Sequence, residues 1–104
     1  MIYNDFQNIK ISSLGFGTMR LPCENDDEKK PDLSAVCDMV DEAIKSGVNY
    51  FDTAWGYHDG LSEITLCKAL SRYSRESYFL ADKFPGYDLA NMPKVKEIFN
   101  EQLK

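Results

Sequence analysis

The sequence predicts an α/β fold in which an N-terminal β-hairpin precedes three strand-and-helix units with parallel strands. Three observations predict it. Apolar and polar residues alternate at a period of two near the start, and further on short apolar runs give way repeatedly to stripes at intervals of three and four. The runs begin near residues 14, 49 and 78, intervals of 35 and 29 that suit βα units. Gly47, Pro85 and Gly86 fall where elements should end. Such alternation requires parallel strands with right-handed crossovers, because the helices must cover the sheet.

Composition narrows the function classes. The 104 residues carry a net charge of −5, which argues against a nucleic-acid partner. With 43 % apolar and 12 % aromatic residues the chain is globular rather than disordered. No stretch reaches the roughly 18 apolar residues of a membrane span. Met1 to Lys10 lacks the basic start and apolar run of a signal peptide, so the expectation is a cytoplasmic protein with no membrane partner. Cys23, Cys37 and Cys67, an odd set 14 and 30 residues apart, match neither a disulfide framework nor a metal-binding pattern and read as free thiols. One small domain is the expectation at this length.

Element by element, Ile9 and Ile11 alternate with Lys10 and Ser12 after the turn formers of Asn4 to Asn8, which gives a hairpin over 1–13. The first unit, about 14–48, opens with an apolar, glycine-punctuated strand from Leu14 to Met19, followed by a polar loop from Cys23 to Lys30. Its helix is marked by Leu33, Val36, Cys37, Val40, Ala43 and Ile44, with Asp32 as N-cap and Gly47 as the left-handed residue that closes it. The second unit, about 49–77, has a buried strand in Val48 to Thr53, a loop from Ala54 to Gly60, and a helix read from Ile64, Cys67 and Leu70. The third, about 78–104, has a strand from Tyr78 to Phe84 and a helix after Pro93 carried by Val95, Ile98, Phe99 and Leu103. Three parallel strands leave two open sheet edges, so pairing with another copy, or with further barrel units, is an expected partner mode.

Thr18, Asp52, Thr53, Tyr57 and Lys83 fall at or just past the C-terminal strand ends, where βα architectures place function. Asp52 and Lys83 each interrupt an apolar strand end, and two buried opposite charges are resolved most simply by pairing across strands about 4.8 Å apart. Tyr57, five residues past Asp52, is close enough to join them. An ammonium beside a phenol stabilises the phenolate and makes the hydroxyl a better proton donor, with the carboxylate fixing the ammonium. The same residues also suit a plain ion pair beside a packed tyrosine. His58 reads as solvent-facing or substrate-brushing, since no further metal ligands accompany it. Trp55 suits either a pocket wall or a core cap. Gly15–Phe16–Gly17 lacks the third glycine of a dinucleotide fingerprint and precedes a polar loop, which disfavours a Rossmann domain.

The strings LGFGTM (Leu14–Met19), YFDTAWGY (Tyr50–Tyr57) and LADKFP (Leu80–Pro85), in this order, resemble the aldo/keto reductase family over nearly the whole chain. The hairpin is similar to the one that plugs that family's barrel. The resemblance implies a (β/α)8 barrel, incomplete in this chain, that reduces aldehydes or ketones with NADPH and without a metal. It implies Tyr57 as proton donor, Lys83 as the lysine that tunes it, and Asp52 as the carboxylate orienting that lysine near the cofactor. It also implies Gly17, Thr18 and Met19 as the segment near the nicotinamide, Trp55 in the pocket, and a small carbonyl compound as substrate. The region around Tyr57 and Asn91–Lys104 resembles a prokaryotic branch whose longer members carry a ferredoxin-like domain, for which no cysteines are present. The family's histidine and its adenosine-phosphate loops would fall past Lys104, so the expectation is a three-unit fragment of a barrel of about 250 residues, catalytically silent by itself.

Overall fold

The computed structural model describes all 104 residues. Tyr3–Phe6 (β1) and Ile9–Ser12 (β2) form the antiparallel hairpin, with Tyr3 opposite Ser12 and Phe6 opposite Ile9. Gln7 turns the chain at φ 54°. Three strands follow in a parallel sheet: Phe16–Gly17 (β3), Tyr50–Asp52 (β4) and Phe79–Ala81 (β5), in that spatial order. Leu33–Lys45 (α1), Leu61–Leu70 (α2) and Val95–Gln102 (α3) alternate with them. The predicted hairpin and three βα units are therefore present, in an incomplete barrel.

The strands are shorter than the apolar runs suggested. Leu14, in the predicted first strand, is 62 % exposed, and the predicted Val48–Thr53 and Tyr78–Phe84 strands each contract to three residues. The parallel ladder nonetheless continues past them, with Thr18 N–H donating to the Asp52 carbonyl at 3.0 Å and Thr53 N–H to that of Ala81 at 2.9 Å. Those extra rungs hold the polar strand ends in register.

Helix α1 forms as its sequence dictates. The Asp32 carboxylate accepts from Ala35 N–H at 3.1 Å, satisfying one of the free donors of the first turn, a cap worth about 1 kcal/mol. Gly47, at φ 96°, ends the helix, and a Cβ there would lie 2.7 Å from the Tyr3 hydroxyl. That hydroxyl donates to the Gly47 carbonyl at 2.8 Å. The hairpin is further fixed by Asn49, which receives Ser12 N–H at 2.8 Å on Oδ1 and donates through Nδ2 to the Lys10 carbonyl at 3.0 Å. Asn49 N–H donates in turn to Ser12 Oγ at 3.1 Å.

The core lies between β4 and the two helices. Phe51 is fully buried among Val36, Val40, Leu66, Ala69 and Leu70, tilted against Phe16 at 5.5 Å between ring centroids and edge-on to Tyr78 at 6.1 Å. Asp41 ties α1 to the end of α2, taking both Arg72 nitrogens at 2.6 and 3.0 Å and the Tyr73 hydroxyl. The predicted stripe of α2 is corrected: Leu70 is buried, but Ile64 is 52 % exposed and Cys67 is exposed, while Ser62, Thr65, Leu66 and Ala69 face inward. The small Ser62 lets this helix approach the strand ends closely and hydrogen-bond there, while the Thr65 hydroxyl donates to the Leu61 carbonyl of its own helix. Helix α3 buries only Ile98, leaving Val95, Phe99 and Leu103 exposed. Before it, Leu89–Lys94 forms a 3₁₀ segment that contains Pro93, with Asp88 capping Ala90 N–H.

Phe51→Ala is expected to lower stability by about 3–5 kcal/mol, through lost transfer energy and the cavity left behind. Urea unfolding of the two proteins measures it.

Candidate active site

Parallel register puts Gly17, Asp52 and Ala81 side by side at the C-terminal rim. Two residues past Ala81, Lys83 reaches back across the rim. Its ammonium donates to Asp52 Oδ1 at 2.6 Å and to the Thr53 carbonyl at 2.8 Å. The chain leaving β4 then forms a tight turn over Tyr57–Gly60 and brings the Tyr57 ring beneath the same nitrogen, 5.0 Å from ring centroid to Nζ. Asp52, Lys83 and Tyr57 thus meet at one point on the rim. Burial opposes the Lys83 charge, but its hydrogen bond to the Asp52 carboxylate and that group's negative charge, with Tyr57 close by, outweigh it and raise its pKa above the ordinary lysine value. Lys83 is an ammonium throughout the neutral range.

A chain of buried hydroxyls stands behind this rim. Thr53 Oγ1 and Ser62 Oγ lie 2.9 Å apart, Ser62 donates to Thr18 Oγ1 at 2.7 Å, and Thr18 donates to the Asp52 carbonyl at 3.0 Å. Since Ser62 has given its one proton to Thr18, Thr53 must be the donor in the first link. The ends of β3 and β4 and the start of α2 are locked together by it.

Other predicted residues fall as follows. The Thr18 side chain is fully buried and its hydroxyl is engaged in that chain. A Cβ at Gly17 would meet nothing within 4 Å, and Met19 is 59 % exposed, so the rim has room for a flat ring next to Asp52. Trp55 is half-buried in the wall of a cleft of about 380 Å³ shared with Asp59, Pro85, Tyr87 and Asn91. His58 is corrected: it is buried rather than solvent-facing. Its Nε2 accepts from Leu21 N–H at 2.9 Å, which assigns the proton to Nδ1, and Nδ1 donates to the Glu28 carbonyl at 2.8 Å. It pins the loop after β3 to the loop after β4. No group of three or more His, Cys, Asp or Glu side chains converges as a metal site would need.

Sequence reasoning missed Glu63, Asp82 and Gln102 beneath the rim. Gln102 Nε2 donates to Glu63 Oε2 at 3.2 Å and to the Lys83 carbonyl at 3.0 Å. Burial and the hydrogen bond and charge of Asp82 push the Glu63 carboxyl up to about 7. Only Asp82, next to the flagged Lys83, carried a signal in the sequence, as a second charge at an apolar strand end.

A parallel sheet with a hairpin at its base, and an acid, a lysine and a tyrosine converging on its C-terminal rim, define part of an α/β barrel with its polar cluster at the strand ends. Residues 13–104 match the model of the aldo/keto reductase family, and the chain belongs to that family, whose members generally use NAD(P)H. It is 35 % identical over 91 residues to "Probable aldo-keto reductase 1" of Glycine max, covering 86 % of this chain and 25 % of that protein. It is 34 % identical over 79 residues to the "NADH-specific methylglyoxal reductase" of Escherichia coli (strain K12), covering 73 % of this chain and 23 % of that one. The structure of the thermostable aldo-keto reductase Tm1743, crystallised with the inhibitor epalrestat, superposes with a TM-score of 0.67 at 26 % identity, covering 99 % of this chain and 39 % of that structure. The chain spans about a quarter of the length of the curated relatives it matches.

Glu63 holds its proton more tightly folded than unfolded. Its contribution is therefore most favourable below its ordinary 4.5 and is lost as pH rises towards about 7. Urea midpoints at pH 5 and pH 8 are expected to differ more in the wild type than in Glu63→Gln, and equal differences would refute this.

Proposed function

We propose that this chain carries the proton-transfer machinery of an NADPH-dependent reductase of small aldehydes or ketones. What supports the reading is the Lys83 ammonium, 2.6 Å from Asp52 Oδ1 and 5.0 Å from the Tyr57 ring centroid, on the rim of a sheet of this family. Tyr57 donates its hydroxyl proton to the carbonyl oxygen of the substrate. Lys83 places a positive charge beside the phenol, favouring both the phenolate left behind and the alkoxide that develops before protonation. Asp52 and the Thr53 carbonyl fix the direction of that charge, so no reorientation is needed as the reaction proceeds. Gly17, with Met19 beside it, supplies the open surface on which a nicotinamide would rest, and when bound it supplies a hydride to the carbonyl carbon. Trp55 forms part of the pocket wall. The preference for NADPH is carried by the family resemblance, and one relative is named NADH-specific.

Lys83 keeps 47 % of its side chain exposed in this open sheet, so water screens the charges and competes for the proton. The 104 residues by themselves are expected to consume no NADPH with a simple aldehyde, and turnover that disappears in Tyr57→Phe would overturn that expectation. Fused to the remaining βα units of a family member, the chain is expected to reduce the aldehyde, with Tyr57→Phe lowering kcat about 10²–10⁴-fold. An undiminished rate in Tyr57→Phe would sink the assignment.

A second reading, self-association, is favoured by the unpaired outer edges of β3 and β5. Beside β3 lies a groove of about 310 Å³ lined by Met1, Leu14, Phe16, Met39 and Ala43. A second copy of this chain would cover these surfaces. Sedimentation at micromolar concentration is expected to give a dimer or larger species, and a monomer that unfolds cooperatively would exclude it.

A further inference from the structure

Lys83 is held by its backbone as well as by its ammonium. Its N–H donates to Asp82 Oδ1 at 2.8 Å. Its carbonyl accepts twice, from Gln102 Nε2 at 3.0 Å and from Trp55 N–H at 3.3 Å, which uses both lone pairs. Trp55 lies two residues before Tyr57, so this one carbonyl joins the strand end of Lys83, the loop of Tyr57 and the last residue of α3. The second N–H of the Gln102 amide goes to Glu63 Oε2 at 3.2 Å. Helix α3 buries only Ile98, and Gln102 hydrogen-bonds it to α2 and to the strand end of Lys83.

We propose that Gln102, clamped by Glu63, is a positioning residue for Lys83, setting the height at which the ammonium meets Asp52 and Tyr57. This rests on the reading of Lys83 given above and deepens it. A side chain of fixed length spanning Glu63 and the Lys83 carbonyl sets the distance from α2 to the strand end. Without it, only Trp55 N–H restrains that carbonyl, at a longer distance, and the ammonium loses its fixed approach to Asp52.

The clamp also responds to pH. Neutral Glu63 can face Asp82 without repulsion, and ionised Glu63 cannot. Charged groups on the elements packed against Glu63 are Asp82 and Lys83 just past β5, the exposed Lys96, Glu97 and Glu101 of α3 and Lys104 just after it, while Asp59 before α2 is exposed. Lys83 is engaged with Asp52, and Lys104 with Glu101 at 2.6 Å, which leaves Asp82 as the group that acts on Glu63. Ionisation at about pH 7 therefore pushes Glu63 from Asp82 while strengthening its hold on the Gln102 amide, which donates better to a carboxylate than to a neutral acid, and so alters the pull of Gln102 on the Lys83 carbonyl.

The test follows the side-chain nitrogen and Cε resonances of Lys83 by NMR in the 104-residue chain between pH 5 and pH 9, with amide exchange at Ile98 reporting whether α3 stays seated. The wild type is expected to show a step in the Lys83 resonances centred near pH 7 that Glu63→Gln abolishes. Gln102→Ala is expected to move them towards those of a free lysine at every pH. Ile98→Ala loosens α3 without touching the Lys83 carbonyl and is expected to move them much less. Lys83 resonances that stay at their wild-type position in Gln102→Ala would overturn the proposal. So would an equal displacement in Ile98→Ala, since seating of α3 alone would then account for it, or a neutral-pH step that survives in Glu63→Gln. If Gln102→Ala unseats α3, the comparison of wild type with Glu63→Gln decides. None of these readings needs turnover, so a Lys83 that responds as expected in a completed barrel without activity would sink the catalytic reading and leave this one standing.

Discussion

Two opposite charges at the ends of adjacent apolar strands must meet or leave the rim, and the rest of the architecture depends on their meeting. The Lys83–Asp52 pair, 2.6 Å long and partly open to water, contributes no more than about 1 kcal/mol to stability. Its importance is geometric. It fixes one ammonium at the junction of two βα units, where the backbone carbonyl of Thr53 and the face of Tyr57 give that cation two further neighbours. Stability comes from elsewhere, chiefly from the fully buried Phe51 and the aliphatic side chains of α1 and α2.

The supports behind the pair are of two kinds. On one side a directed run of hydroxyls from Thr53 through Ser62 to Thr18 ends on the main chain of Asp52. On the other, Gln102 and Asp82 take up the main-chain groups of Lys83. Both members of the ion pair are thus restrained through backbone as well as side chain, which is how a partly exposed pair is kept in one arrangement.

The sequence was most legible where local rules act. Asp32 and Gly47 mark the ends of α1 because capping and a positive φ are properties of one or two residues. Asp52 and Lys83 were legible because a charge at the end of an apolar run needs a partner. The inward face of α2 was misread because apolar periodicity points to Ile64 and Cys67, whereas the strand ends recruit Ser62 for close polar contact, and Thr65 turns inward with its hydroxyl satisfied by the Leu61 carbonyl. His58 misled for the same reason: a lone histidine beside a tyrosine gives no sign that Leu21 and Glu28 will consume both ring nitrogens. Gln102 contacts residues 39 and 19 positions earlier in the chain, and no local pattern announces such a meeting.

The hairpin at the opposite end of the sheet is fixed through polar contacts at Tyr3, Ser12 and Asn49, while Phe6 and Ile2 stay open to solvent. A plug fastened by a few polar latches can be exchanged or redesigned as a cassette, provided that Asn49 and the small residue at Gly47 are kept. The floor of the molecule is thereby free to drift in sequence while the chemistry at its ceiling is left untouched.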